Sequence, residues 1–113
     1  MSTVTENDVE AEIVGFLVNR GWIIRRQHSC VVRSLSGHKI RLGEMGQCDW
    51  SAMRPAKQER VVEYLEIEAK APGKKPSKPQ REYIAKRLHQ GISATWADSL
   101  DLFRRWYHME GFE

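Results

Sequence analysis

Cysteine is scarce in this chain: there are two, Cys30 and Cys48, in no CxxC-type spacing. The four histidines, His28, His38, His89 and His108, do not pair at i,i+4. A zinc site is therefore not suggested, and reduced thiols are the expected state of both cysteines. No apolar run approaches the ~20 residues that span a bilayer. Residues 1–8 are polar and lack the apolar core of a signal peptide. These absences predict an intracellular, cytoplasmic protein with no membrane partner. Internal repeats and low-complexity tracts are also missing, which excludes solenoids and arrays.

What is present suits one folded unit. The 113 residues are enough for one domain and too few for two, so a single domain over 1–113 is expected, with its core at about 8–109. A 41% hydrophobic and 29% charged composition argues against disorder. The net charge of +3 is a mild basic bias that nucleic acid would suit but does not require.

The pattern along the chain predicts helix, strands, helix, strand, helix. The first helix is expected at 8–20, capped by Asn7 and stopped by Gly21, with Val9, Ile13, Phe16 and Leu17 as its apolar face. Strand-like runs follow at 22–24, 30–35, 39–42 and 47–52. Residues 54–60 contain Pro55 and read as a connection. The strongest strand is 61–69, where Leu65, Ile67 and Ala69 alternate with Glu66, Glu68 and Lys70. A basic, proline-containing loop leads to a second helix at 78–90, capped by Ser77 and ended by Gly91. A strand at 92–97 and a helix at 99–109 complete the order. One mixed sheet with helices packed against it is the architecture this implies.

Glu68-Ala69-Lys70 is the most suggestive chemistry. Residues two apart on a strand share a face, about 6.5–7 Å apart, so a carboxylate and an ammonium project into one space. A carboxylate can hold a divalent cation, and Asp49 on the preceding strand-like run can supply a second one. The same spacing also describes a solvated strand face with Glu–Lys pairing. Glu10 lies inside the apolar arc of the first helix, where a carboxylate needs a reason. A metal site is one reason; a capping box with Asn7 is another. Gln80 fits a capping box with Ser77, or an amide aimed at a phosphate or metal water. Lys74, Lys75, Lys78 and Arg81 either contact phosphates beside the site or solubilise a loop. Trp22, Trp50, Trp96 and Trp106 read as core residues rather than base-stacking ones.

Taken in order, these segments resemble a known family. The run Gly43-Glu44-Met45-Gly46-Gln47-Cys48-Asp49, the run 64–73 carrying Glu68-Ala69-Lys70, and the helix opening Ser77-Lys78-Pro79-Gln80 are similar to the VRR-NUC branch of the PD-(D/E)XK nucleases. That branch shows G-x-x-D, then a strand ending in E-[VA]-K, then S-x-x-Q. The first helix, from Glu10 to Gly21-Trp22, also resembles the opening helix of archaeal Holliday-junction resolvases, where an acidic residue at the position of Glu10 belongs to the site. Cysteine rather than proline precedes Asp49, and residues 55–60 lengthen the segment between Asp49 and Glu68.

The resemblance implies an α/β restriction-endonuclease-like core in α-β-β-β-α-β-α order, a mixed β-sheet flanked by helices. It implies a Mg2+-dependent DNA endonuclease, Mn2+ substituting, that leaves 5′-phosphate and 3′-hydroxyl ends. Asp49, Glu68, the Ala69 carbonyl and Glu10 would hold the metal; Lys70 would orient the nucleophilic water; Gln80 would steady the site. DNA contacts would come from Lys74, Lys75, Lys78 and Arg81. A homodimer acting on branched DNA such as a Holliday junction, in a bacterial or phage setting, is the implied assembly. The apolar surface expected at Tyr107, Met109 and Phe112 offers an interface. The rival expectations are a nuclease-fold module that binds DNA without cutting it, and a small protein-interaction factor with accidental spacing. Asp49 and Glu68 carboxylates more than about 8 Å apart would remove the metal site's geometry.

Overall fold

The computed structural model describes residues 3–27 and 30–113, with the side chains of 30–32 and 40–42 left aside. Expectations on residues 1, 2, 28 and 29, and on the Cys30 thiol, lie outside the described residues. The first helix, α1 (Glu6–Val18), begins two residues earlier than the pattern predicts. Thr5, not Asn7, is its cap. The Thr5 hydroxyl accepts the Asp8 N–H at 3.2 Å, and the Asp8 carboxylate accepts the Thr5 N–H at 2.8 Å. Threonine and aspartate satisfy the orphan amide groups here, so the helix grows from that point. Glu10 therefore has no capping role, and it is buried to 9% exposure.

Five strands precede the second helix: β1 (Ile23–Arg26), β2 (Cys30–Arg33), β3 (Lys39–Leu42), β4 (Trp50–Pro55) and β5 (Val62–Ala69). Then follow α2 (Lys78–His89), β6 (Ser93–Ala97) and α3 (Leu100–Met109). The strand-like runs in the sequence number five here, whereas the order implied by the resemblance has three. The two additional ones, β2 and β3, pair only with each other as an antiparallel ribbon and stay out of the sheet. The remaining elements run α-β-β-β-α-β-α. Their sheet has the order β1-β4-β5-β6; the first two pairings are antiparallel and β5–β6 is parallel. The parallel pairing requires a crossover, and α2 supplies it. Arg54 and Pro55, expected in a connection, instead extend β4, where they pair with Glu63 and Val62. The architecture is mixed α/β, with one four-stranded mixed sheet and three helices.

The alternation read in 61–69 divides the two faces. Leu65, Ile67 and Ala69 pack under α1 and α3 with Val9, Ile13, Leu17, Phe103 and Tyr107. Glu66 and Glu68 point to the opposite face, where α2 lays Tyr83 and Ile84 over Cys48 and Ala94. Trp22 is core, and Trp50, Trp96 and Trp106 are partly buried against it. The C-terminal aromatics do not form the free interface expected of them. Tyr107 is fully buried, and its hydroxyl accepts the Trp22 indole N–H at 2.9 Å. Phe112 packs edge-on against Trp22, with 5.2 Å between ring centroids. The reason is that the chain after α3 turns back onto the helix layer, so these rings complete the core; Met109 alone of the three stays exposed. Among the described residues no helix is long and apolar enough to cross a membrane.

Replacing Tyr107 with Phe keeps the ring but leaves the buried Trp22 N–H without an acceptor. An orphaned buried donor costs about 1–3 kcal/mol, so the melting temperature should fall by several degrees. Thermal unfolding followed by circular dichroism checks this, and an unchanged midpoint would mean that water replaces the lost acceptor.

Candidate active site

The pairing of β4 with β5 sets the geometry. Its last pair is Trp50 with Ile67. One residue further, Asp49 stands opposite Glu68, and the Asp49 N–H donates to Glu68 Oε2 at 2.9 Å. The charge of Asp49 bears directly on the Glu68 carboxyl, so the two groups are neighbours at one end of the sheet. Lys70, one residue past β5, places its ammonium 3.6 Å from Glu68 Oε1 and is mostly buried. The Glu68–Lys70 pair is therefore not a solvated surface pair, since Glu68 itself is 2% exposed.

Gln80 closes the capping box expected of it, and its amide meets a carboxylate, not a phosphate or a metal water. Its side-chain oxygen accepts the Ser77 N–H at 2.8 Å, closing the capping box of α2. Its amide nitrogen donates to Glu68 Oε1 at 2.9 Å. The cap fixes the amide, and the amide fixes the carboxylate. Gly46, the glycine of the G-x-x-D run, explains its own presence. It has φ +77°, and a Cβ there would overlap the Pro79 carbonyl and crowd the Gln80 nitrogen. Only glycine allows the segment before Asp49 to lie against the start of α2.

On the other side of Asp49, α1 contributes two carboxylates. Ligand atoms of Glu6, Glu10 and Asp49 all lie within 4.8 Å of one another. Asp49 thus joins Glu6 and Glu10 to Glu68, Lys70 and Gln80. Sequence reasoning missed Glu6 because it placed that residue before the helix; the i,i+4 spacing from Glu10 was the available signal. Ala69 ends β5 in register with Ala97 of β6, its side chain in the core. The cluster's donors are all oxygen, which suits a hard divalent cation such as Mg2+ or Mn2+ and not zinc.

A second network, also missed, holds the strand ends. Glu66 is fully buried. It receives Arg87 Nε at 2.6 Å, the Tyr83 hydroxyl at 2.7 Å and Gln27 Nε2 at 2.8 Å. Burial pushes its carboxyl up, but the hydrogen bonds from Arg87, Tyr83 and Gln27 outweigh this and hold it below the usual range. Gln27 also donates its backbone N–H to the Asp49 carbonyl at 2.7 Å and its amide to the Cys48 carbonyl at 3.1 Å. The ionised Glu66 is thereby tied to the backbone that carries Asp49. Cys48 is fully buried, and burial pushes its thiol up, with Glu66, Glu68 and Asp49 adding to the effect. It is an inert packing thiol.

The basic loop lies beside these groups but is partly occupied with itself. Lys78 pairs with Glu82 at 3.8 Å, and Arg81 donates to the Pro76 carbonyl at 2.8 Å. Lys74 and Lys75 are exposed, and among the described residues neither forms an ion pair. Comparison with protein-family models, with curated proteins and with solved structures finds no match.

Glu68 carries the electrostatic cost of the arrangement. Burial first, and the charge of Asp49 second, push its carboxyl up to about 7, against an ordinary 4.5; Lys70 and the Asp49 N–H pull the other way. Glu68 therefore binds its proton more tightly in the folded chain. Its contribution to stability is full below about pH 4.5 and is lost as pH rises through about 7. The metal-free protein should lose on the order of 1–3 kcal/mol across that window. Asp49→Asn removes the neighbouring charge, so at pH 8 it should melt higher than the metal-free wild type. Urea unfolding of both proteins at pH 5 and pH 8 measures the difference. A wild type equally stable at both pH values, and no gain in the variant, would contradict this.

Proposed function

We propose that the chain is a metal-dependent nuclease that hydrolyses DNA phosphodiester bonds, with a restriction-endonuclease-like core of the VRR-NUC kind. The observation that carries this reading is the assembly of Asp49, Glu68 and Lys70 at one end of the sheet. The Asp49 backbone N–H donates to Glu68 Oε2 at 2.9 Å, which sets Asp49 beside Glu68, and the Lys70 ammonium lies 3.6 Å from the same carboxylate. Accidental E-x-K spacing on a solvated strand would give neither the burial nor the second carboxylate.

Asp49, Glu68, Glu10 and the Ala69 carbonyl would hold Mg2+, or Mn2+ in its place. When bound, such a cation supplies Lewis acidity toward a phosphoryl oxygen and relieves the repulsion between the carboxylates. Lys70 donates hydrogen bonds to the attacking water and balances negative charge that develops on the phosphoryl group. That water's oxygen bonds to phosphorus, the bond to the 3′ oxygen breaks, and the proton the water loses is matched by one the 3′ oxygen gains from solvent. Gln80 keeps Glu68 in one orientation, which limits the reorganisation needed as charge moves. Lys74 and Lys75, with Lys78 and Arg81, neutralise phosphates next to the scissile one. A homodimer would bring two such sites to the two strands of a branched DNA.

Asp49→Asn and Glu68→Gln should each abolish Mn2+ binding and Mg2+-dependent cleavage together. Lys70→Ala should keep Mn2+ binding and lose roughly 100- to 1000-fold in single-turnover rate. Linear, flap and four-way-junction DNA, incubated with and without Mg2+ or Mn2+, provide the assay. Metal-dependent binding to DNA with no cleavage of any of the three would replace the enzyme reading with a binding module. Cleavage by Lys70→Ala at the wild-type rate would remove Lys70 from the mechanism.

Alanine at Lys74, Lys75 and Lys78 should weaken DNA binding and flatten its salt dependence by about 2 in log–log slope. Lys78 is expected to contribute least, because Glu82 already engages it. Metal affinity without DNA should be unchanged. Fluorescence anisotropy across a salt series reads the slope, and an unaltered slope would assign the loop to solubility.

A further inference from the structure

The ribbon β2–β3 forms a two-stranded sheet of its own beside the four-stranded one. Its strands pair with each other, and no helix or sheet strand packs extensively on either among the described residues. A two-stranded ribbon alone is marginal in water, so a ribbon kept apart from the core points to a surface that it meets elsewhere. Its root lies at the candidate active site. The chain leaves the sheet after Gln27 and returns through Cys48 and Asp49, and Gln27 is hydrogen-bonded to the carbonyls of both.

The charge of this segment is one-sided. From residue 13 to residue 43 there is no aspartate or glutamate, while Arg20, Arg25, Arg26, Arg33, Lys39 and Arg41 all fall there. Arg33 and Lys39 form the last pair before the turn, and both are exposed. The turn itself is ordered. Ser34 N–H donates to the His38 carbonyl at 2.8 Å, and Gly37 N–H donates to the Ser34 carbonyl at 2.9 Å. At its tip stands Leu35, a fully exposed apolar residue. A solubilising hairpin has no use for leucine at its tip. A cationic two-stranded ribbon can lie along the phosphates that border a groove, and an apolar tip is the kind of residue that wedges into a loosened base step.

We infer that β2–β3 is a nucleic-acid-binding arm, which grips duplex phosphates through Arg33 and Lys39 and engages unstacked base steps through Leu35. This rests on the nuclease reading of the adjacent carboxylates and extends it. The duplex would be held on one side by the loop carrying Lys74 and Lys75 and on the other by the arm. Selection for distorted DNA would then reside in the arm and not in the metal site.

The test is anisotropy binding in EDTA, where no cleavage occurs, with an intact duplex and the same duplex carrying a central two-base bulge. The intact protein, Arg33→Ala/Lys39→Ala, the charge-keeping Arg33→Lys/Lys39→Arg, and Leu35→Ser are compared from 50 to 200 mM salt. Loss of two phosphate contacts should lower the slope by about 2, so that wild-type affinity falls about 10-fold more than the alanine variant's over this range. The charge-keeping variant should follow the wild type. Leu35→Ser should keep the slope and lose the preference for the bulge. Wild-type binding with alanine and serine variants indistinguishable from it overturns the arm and leaves the nuclease reading intact. No salt-dependent DNA binding by the wild type overturns the arm, and the nuclease reading then stands or falls by cleavage in Mg2+ or Mn2+.

Discussion

The antiparallel pairing of β4 with β5 is the constraint on which the rest depends. It is driven by the apolar side of the strands, where Ala52, Leu65 and Ile67 seal against α1 and α3. Register follows from that burial, because a shift of one residue would turn Leu65 and Ile67 away from the core and Glu66 and Glu68 into it. The same register sets Asp49 opposite Glu68. Two like charges are thus brought together by hydrophobic packing on the opposite face of the sheet, at positions where neither would choose the other.

The surrounding structure accommodates this repulsion without removing it. The Asp49 N–H, the Gln80 amide and Lys70 each face Glu68, yet its carboxyl still rises to about 7. Glu66, two residues earlier on the same face, shows what full compensation looks like. With Arg87, Tyr83 and Gln27 around it, it stays ionised although it is completely buried. One strand therefore carries one satisfied carboxylate that locks the backbone and one unsatisfied carboxylate that a cation would satisfy. Strain concentrated at one acidic position, beside a fully compensated neighbour, is the pattern expected of a site kept for function at a cost in stability.

Much of this was legible in the sequence because it rests on local rules. The period-2 alternation of β5, the Ser77 cap of α2 and the glycine after it are read within a few residues. Lys70 and Gln80 both reach Glu68, the Asp49 backbone lies against the same carboxylate, and Glu10 reaches Asp49. What failed to show depends on distant partners or on near-equal local choices. Thr5 with Asp8 and Asn7 with Glu10 both fit a capping box, and no local rule ranks them. The content of β-formers at 30–35 and the short run at 39–42 marked β2 and β3 as strands, but no local rule says that they leave the sheet, so the ribbon's departure was not visible. Glu66 is held by Gln27, 39 residues before it, and by Arg87, 21 after it. Tyr107 is drawn into the core by Trp22, 85 residues away. Burial created by such pairs is a property of the folded chain.

A crystal soaked in Mn2+ with anomalous data addresses the central claim most directly. The account predicts an anomalous peak between the carboxylates of Asp49 and Glu68, absent from the Asp49→Asn crystal. A peak confined to Glu6 and Glu10 on α1, or none anywhere in the cluster at millimolar Mn2+, would contradict it.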